Sequence, residues 1–368
     1  MNTRSEITDK YLQLYNENIG RIEAGSPDYL NVFRKEAIRK FDRIGIPTRK
    51  NEAYRYTDLE GFFKHEFKNV FLPGKSDFLK AERFRCDVTE LDTHGVVLLN
   101  GFYPTITDKL RQMPGNIWIG SLKEASVRFQ EIVEAHYGKY AVSETDGLIH
   151  LNTAMASDGV FVYVPAGATP DKPVQVVNIV DSDEDIFNQH RNLIVVDEDA
   201  VFTIIICDHT LSPNKFLTNA VTEIYVGPGS RFNIIRIQNE HNNACKITNT
   251  FIHQEKDSYA SSNNITLHGG LVRNSTYHYL RGRGAETNSL GLFLTDKWQH
   301  IDNFVNVEHS SPDCISNQLF KGVLDDMATG AFNGRIFVAP DAQNTNAYQR
   351  NNNILLTNDA KMDTKPQL

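Results

Sequence analysis

The sequence predicts a mainly β protein: a right-handed parallel β-helix preceded by an α-helical region. Three observations lead there. Helical periodicity is concentrated in the first ~45 residues and one later segment, short β-rich runs fill the chain from about Gly147, and those runs repeat at a step near thirty residues.

The helical region comes first. Leu12, Tyr15, Ile19 and Ile22 recur at spacings of three and four. After the break at Gly25-Ser26-Pro27, Leu30, Phe33, Ala37 and Phe41 do so again. Two such stripes must be buried against each other or against a neighbour, which predicts a helical hairpin ending near Gly45-Ile46-Pro47. A third helix is expected from Ser121, with Glu124 three residues on as capping partner, through Leu122, Ala125, Phe129, Ile132 and His136. The predicted division is a helical region over 1–75 and a β-helix core over 76–368, with a helical insertion near 121–140.

The β-rich runs include Gly159–Val164, Val174–Val180, Leu193–Val196, Phe202–Cys207, Glu223–Val226 and Phe232–Ile237. Aligning LIVVDEDAVFTII from Leu193 with EIYVGPGSRFNII from Glu223 matches Val196 with Val226, Ala200 with Ser230, Phe202 with Phe232 and Ile205 with Ile235. A fainter copy from Phe251 puts Ser258 under Ser230 at a step of twenty-eight. Strand–turn–strand units at this period stack so that each coil covers the apolar face of the next. Asn263, Asn264, Asn274, Asn288, Asn303 and Asn306 are expected at the tight corners, where left-handed backbone is cheap for Asn. An antiparallel sandwich is the alternative, but two-residue hairpin turns are nearly missing; Asp158-Gly159 and Asn333-Gly334 are the exceptions.

Net charge is −8, from 38 Lys and Arg against 46 Asp and Glu, with no basic run, which argues against a nucleic-acid groove. No stretch reaches the roughly 18–20 apolar residues that span a bilayer, and Met1–Lys10 is polar with no apolar run behind it, so no secretory signal is visible. Cys86, Cys207, Cys245 and Cys314 are far apart, which suits neither a disulfide framework nor a zinc ribbon and fits a reducing cytoplasm.

Candidate chemical sites are few. Cys207-Asp208-His209 could begin a metal or sulfur site, since thiolate and imidazole both ligate iron, but Cys207 reads more simply as a buried residue closing a strand. His268, with Gly269-Gly270, and His278 faintly resemble features of β-helix enzymes acting on polysaccharide, the alternative function. Catalysis there needs facing carboxylates, which are sparse here. Asp181, Asp183, Glu184 and Asp185 read as a solvated loop, Asp325-Asp326 as a turn, and Arg281-Gly282-Arg283-Gly284 as a corner between coils rather than a phosphate cradle.

Three segments carry a family resemblance. Residues 46–57, IPTRKNEAYRYT, are similar to the N-E-x-W-[K/R]-Y-T signature of the SufB/SufD family of iron–sulfur cluster assembly proteins, with Tyr54 in place of the usual Trp. Leu151–Pro165 followed by Lys172-Pro173-Val174 resembles that family's entry into its β-helix. Ser316–Gln349 and its continuation to TKPQL resemble the S-x-x-x-x-K-x-V-L … F-N-G-x-I-x-V … T-K-P-x-L block. The helical N-terminus and the I-P-T lead-in are most like the SufD branch.

The resemblance implies a scaffold that works by subunit pairing rather than its own catalysis. It implies pairing with a SufB-like paralogue, a SufC-like ABC ATPase as second partner, and a homodimer when alone. No cofactor is expected on this chain alone; cluster and ATP belong to the complex. Lys321, Asn333, Tyr348, Gln349 and Arg350, inside the third match, are the expected partner-interface residues, with Phe332 and Gly334 beside them as core or corner. In the family a C-S-H-G segment and ATPase-binding helices follow T-K-P-x-L. The sequence stops at Leu368, so the family's histidine is assigned to no residue here and ATPase binding is expected to need the further segment.

Overall fold

A computed structural model describes residues 5–69, 91–103 and 110–368. Cys86 and the expected boundary at 75/76 lie outside the described residues.

The predicted hairpin is α1 (Glu6–Glu23) and α2 (Asp28–Ile44). Ser5 caps α1 by accepting from Thr8 N, and Gly45 closes α2 at φ 75°, a backbone angle that favours glycine. A short α3 (Glu60–Lys64) follows. The expected third helix starts as predicted, with Ser121 Oγ accepting from Glu124 N at 3.2 Å, but breaks at Phe129 (φ −121°, ψ 43°) into α4 (Leu122–Arg128) and α5 (Gln130–His136).

The β-rich reading from Gly147 is corrected at its start: Gly147–Met155 is a helix, α6. All nine of its residues are buried, so it has no polar face and no amphipathic period to read. Gly147 is needed for its seat, because a Cβ there would lie 1.9 Å from Gly45 O.

Nineteen described strands follow the predicted solenoid plan. One sheet holds β1 (Lys68–Asn69), β3 (Leu110–Met113), β4 (Ile117–Ser121), β5 (Val160–Val164), β7 (Ile186–Val196), β9 (Phe216–Val226), β11 (Ala244–Gln254), β13 (Leu271–Leu280), β15 (His300–His309), β17 (Thr329–Val338) and β19 (Lys361–Gln367). The other holds β2 (His94–Leu99), β6 (Val174–Val180), β8 (Val201–Thr210), β10 (Arg231–Asn239), β12 (Tyr259–His268), β14 (Glu286–Thr295), β16 (Ile315–Leu324) and β18 (Asn346–Leu355). These are called the odd and even sheets. From β5 onward every pairing in the odd sheet is parallel, while β3–β4–β5 are antiparallel. The chain alternates between the sheets and advances one rung per coil.

The internal repeat is the coil. Val196 pairs with Val226, Phe202 with Phe232 and Ile205 with Ile235, and Ala200 N donates to Ser230 Oγ at 3.1 Å. The twenty-eight-residue step also holds: Phe251 pairs with Glu223 and Tyr259 with Arg231.

The asparagine expectation fails. All six residues lie within strands, Asn263 and Asn264 in β12 and Asn274, Asn288, Asn303 and Asn306 in β13 to β15. There, amides can bond from rung to rung; Asn317 Nδ2, for example, donates to Asn288 Oδ1 at 3.1 Å. The left-handed corners are held mainly by aspartates, Asp199, Asp257, Asp313 and Asp326 at φ 51–61°, with Gly229 and Gly284 beside them. Asn333-Gly334 is likewise mid-strand rather than a turn.

The interior is divided along the axis. Near the aspartate corners it is apolar: Val196, Ile224, Phe202, Phe232 and Ile234 belong to one buried cluster. Near the opposite corners, inward positions of β6 to β13 carry Asn178, Asp208, Arg236, Gln238, His190, Lys246 and Asn274, all buried. Outside, the N-terminal helices cover the odd sheet, with Tyr11, Phe41, Phe63 and Leu148 packing over Phe187, Leu217, Cys245 and Ile247.

Candidate functional site: the open end and its anchors

The solenoid ends on two strands with one described neighbour each: β18 pairs with β16, and β19 with β17. Among the described residues, no strand pairs with their other edges. Three inward side chains of β18 are the amides Gln349, Asn351 and Asn353, set over Gln318, Phe320 and Gly322 of β16. Gln349 Nε2 donates to Gln318 Oε1 at 2.9 Å, and Asn353 Nδ2 donates to Asn351 Oδ1. Gln318 Nε2, Gln349 Oε1, Asn351 Nδ2 and Asn353 Oδ1 are buried without a partner among the described residues.

The five residues singled out in the sequence divide between environments. Lys321 on β16 and Tyr348 and Arg350 on β18 are exposed on the outer face of the even sheet, Tyr348 at 64 %. Gln349 points inward beneath Gly334, where a Cβ would sit 1.4 Å from its Nε2. Asn333 is buried in β17 of the odd sheet, and its Oδ1 has no partner among the described residues. Phe332 packs inside against Phe320, ring centroids 4.8 Å apart.

The Asn51–Thr57 motif has a structural role that its sequence does not disclose. Tyr54 lies under the Arg273 guanidinium, 4.0 Å from ring centroid to Cζ, and its hydroxyl donates to Asp146 Oδ2 at 2.6 Å. Arg273 also donates to Ala53 O at 2.8 Å and pairs with Asp302. Thr57 Oγ1 donates to Asp302 and lies 3.0 Å from His300 Nε2, while His300 Nδ1 is 2.6 Å from Thr329 Oγ1. Glu52 pairs with Lys365 on β19. Within this short segment, direct contacts reach β13, β15 and β19, and His300 extends the chain of bonds to β17. A second anchor is the buried Arg191–Glu223 pair at 2.7 Å. Glu223 also accepts from the backbone N–H of Gly138, Tyr140 and Ala141 at 2.8–2.9 Å, fixing the segment after α5. Arg34 donates to Ala156 O at 2.6 Å at the end of α6.

An ionic cluster inside the solenoid escaped the sequence reading. Asp208 Oδ1 accepts from Lys246 Nζ at 3.0 Å and Asn178 Nδ2 at 2.8 Å, and Asp208 Oδ2 lies 3.3 Å from Arg236 NH1. Lys246 also donates to Glu240 Oε1 at 3.1 Å, so two acids face two bases with water excluded. Burial alone would raise the Asp208 carboxyl, but Lys246 and Arg236 hold it well below the usual carboxylate range. Burial raises Glu240. His190 is buried with neither ring nitrogen bonded among the described residues; burial, with Lys246 nearby, pushes it down to about 3, so it is neutral. The missed signal was alternation combined with the repeat: β10 reads Phe232, Ile234, Arg236, Gln238 inward, and the thirty-residue step sets Asp208 beside Gln238.

The other candidates take structural places. Cys207 is buried in the middle of β8, which runs on to Thr210, and Gln175 Nε2 lies 3.4 Å from its sulfur. Cys245 is buried beneath the N-terminal helices, and burial pushes its thiol far up. His278 is enclosed by Ser262 and Thr287 at 3.1 and 2.7 Å, and burial lowers it to about 3. His268 Nδ1 meets Glu240 O at 2.8 Å. Asp185 pairs with His65 at 2.7 Å and Glu184 with Lys68, so this acidic loop holds β1 in place. Arg281 and Arg283 are corner residues paired with Glu308 and Asp313, and Asp326 occupies a left-handed turn position. Among the described residues, no three His, Cys, Asp or Glu side chains gather to hold a metal ion. No helix among them is long and apolar enough to cross a membrane.

Comparison with known proteins agrees with this architecture. The family model described as the SUF system FeS cluster assembly SufBD core domain matches residues 178–368, and that of the SufBD protein N-terminal region matches 5–176. An iron–sulfur cluster assembly SufBD family protein of Synechocystis is 27% identical over 98% of this chain and 80% of its own length. The iron–sulfur cluster assembly protein SufD of Escherichia coli is 27% identical over 91% of this chain and 76% of its own. SufD of Bacillus subtilis is 21% identical over 100% of this chain and 84% of its own, and SufB of that organism is 25% identical over 90% and 63%. With both family models in sequence order, and a two-sheet parallel solenoid beneath the second, the chain belongs to the SufB/SufD family of iron–sulfur cluster assembly proteins.

Proposed function

We propose that this chain is a SufD-like scaffold subunit that acts by pairing with a second solenoid of its own family, without catalysis by its own side chains. The observation that carries this reading is that, among the described residues, β18 and β19 each have a strand on one edge alone, around an amide layer with unmet hydrogen bonds. A second solenoid would extend both sheets and satisfy Gln349, Asn351 and Asn353 together. Tyr348 and Arg350 flank that layer on β18, with Lys321 one rung below, and Tyr and Arg are side chains that anchor interfaces. The natural second solenoid is a SufB-like paralogue; in its absence the same edges pair with a second copy about a twofold axis. A SufC-like ATPase supplies nucleotide chemistry at the level of the complex. Cluster and ATP are held there rather than by this chain alone, and the setting is the cytoplasm.

The test is light scattering of the purified chain and of Gln349→Lys/Asn351→Lys, which places two cations in the end layer. The wild type should be a dimer, and the variant should dissociate at least tenfold more readily while keeping its circular dichroism. An undiminished dimer would place the contact elsewhere.

A further inference from the structure

The odd and even sheets both present apolar residues to the outside, and helices cover those of the odd sheet from β7 to β13. Over the odd sheet, helices from the N-terminal region pack on Phe187, Leu217, Cys245 and Ile247. Over β12 to β16 of the even sheet, Ile265, Leu290, Leu292 and Leu319 form the floor of a groove of about 280 Å³ whose charged wall is Lys321. Strand register arranges these side chains in two adjacent rows: Ile265–Leu292–Lys321, and Leu290–Leu319–Arg350. Each apolar row therefore ends in a cation. Along the strands the apolar surface continues through Leu294, 41 % exposed, to the corner residue Trp298, 75 % exposed. At outward positions of the even-sheet strands β12, β14, β16 and β18 the one acidic residue is Glu286, at the start of β14. In a chain with net charge −8, this face is apolar and locally basic.

We infer that this groove receives an amphipathic α-helix of another protein, with apolar residues at helical spacing on the floor and carboxylates meeting Lys321 and Arg350. The backbone groups of these inner rungs are already used in the ladder, so an occupant must pack side chains rather than add a strand. A helix laid on a sheet face does this, and the odd sheet of the same molecule is covered in that way. The charge of the occupant follows from the two cations that terminate the rows. The groove shares Lys321 and Arg350 with the flank of the end layer, but its apolar floor lies on inner rungs, so Leu292→Ser/Leu319→Ser tests the groove and Gln349→Lys/Asn351→Lys tests the pairing, and either can fail while the other stands.

The probe is a synthetic twenty-residue helical peptide with Leu at i, i+3, i+4 and i+7 and Glu on one flank, labelled for fluorescence anisotropy. A second peptide carries Lys in place of Glu. The Glu peptide should bind at least tenfold tighter than the Lys peptide. Lys321→Glu/Arg350→Glu should reverse that order, and Leu292→Ser/Leu319→Ser should weaken both at least tenfold. All positions are on the surface, and unchanged thermal midpoints verify the fold. Equal binding of the two peptides, or binding indifferent to both double variants, overturns the inference. So does loss of the homodimer in Leu292→Ser/Leu319→Ser, which would make a second copy the occupant.

Discussion

On one side of the solenoid axis Phe202 stacks on Phe232, ring centroids 6.3 Å apart, and Val196 sits beneath Val226. On the other side, at the same level, Asp208 is wedged between Lys246 and Arg236, with His190 beside them. Both halves are buried and both use the same ladder. The apolar half is stabilised by area removed from water and by close packing. The polar half gains little net free energy, because the desolvation of four charges offsets most of their attraction. The difference teaches that burial in a solenoid does not report stabilisation, and that the two halves should respond to substitution in opposite ways.

The largest expected effect lies in the polar half. Asp208→Ala leaves Lys246 and Arg236 without their shared carboxylate and should cost about 3–5 kcal/mol in urea unfolding. Replacing the whole cluster, Asp208→Leu with Arg236→Met, Glu240→Gln and Lys246→Met, should restore most of that loss. If it does not, the cluster is a source of stability and the contrast breaks.

The next effect is on pH dependence. The folded value of His190, about 3, lies below its unfolded value of roughly 6.5, so the unfolded chain binds the proton first. Its contribution is complete above pH ~6.5 and falls as pH drops toward 3, on the order of 2 kcal/mol by pH 5. Since neither ring nitrogen is bonded, His190→Leu should leave stability at pH 7 little changed and flatten the acid limb between pH 6.5 and 4. An unchanged acid limb would show that other groups set it.

The smallest effect calibrates the apolar half. Ile234→Val deletes one methylene from a filled cluster and should cost about 0.5–1.5 kcal/mol with no pH dependence. A larger loss would mean that the packing there is tighter than its neighbours suggest.

The apolar half was legible in the sequence because its residues repeat in kind: Val over Val, Phe over Phe. The polar half repeats in position but not in kind, with Asp208 beside Gln238, so a search for similar residues passes over it. β7 was read only from Leu193, because IFNQHRN lacks alternation. Both its faces are buried, one by the interior and one by the helical region, and polarity stops marking exposure there. Helix α6 was missed for the same reason. The Asn51–Thr57 motif was recognised by resemblance, but its partners Arg273, Asp302 and Lys365 lie 220, 245 and 313 residues along the chain from Ala53, Thr57 and Glu52, beyond any local pattern. Among the expected interface residues, sequence alone does not tell that Gln349 faces inward between the exposed Tyr348 and Arg350, which requires the register.

A stack of coils that lean only on their neighbours ordinarily unravels rung by rung, its stability a sum of nearest-neighbour terms. The segment from Glu52 to Thr57 changes that arithmetic. Through Ala53, Thr57 and Glu52 it holds β13, β15 and β19 at once, and His300 carries the link to β17. Fraying of the terminal coil therefore pulls on residues bound three rungs below, and the last coils must open together or remain shut. Hydrogen exchange across β13, β15, β17 and β19 is expected to follow a single opening event instead of a gradient along the axis.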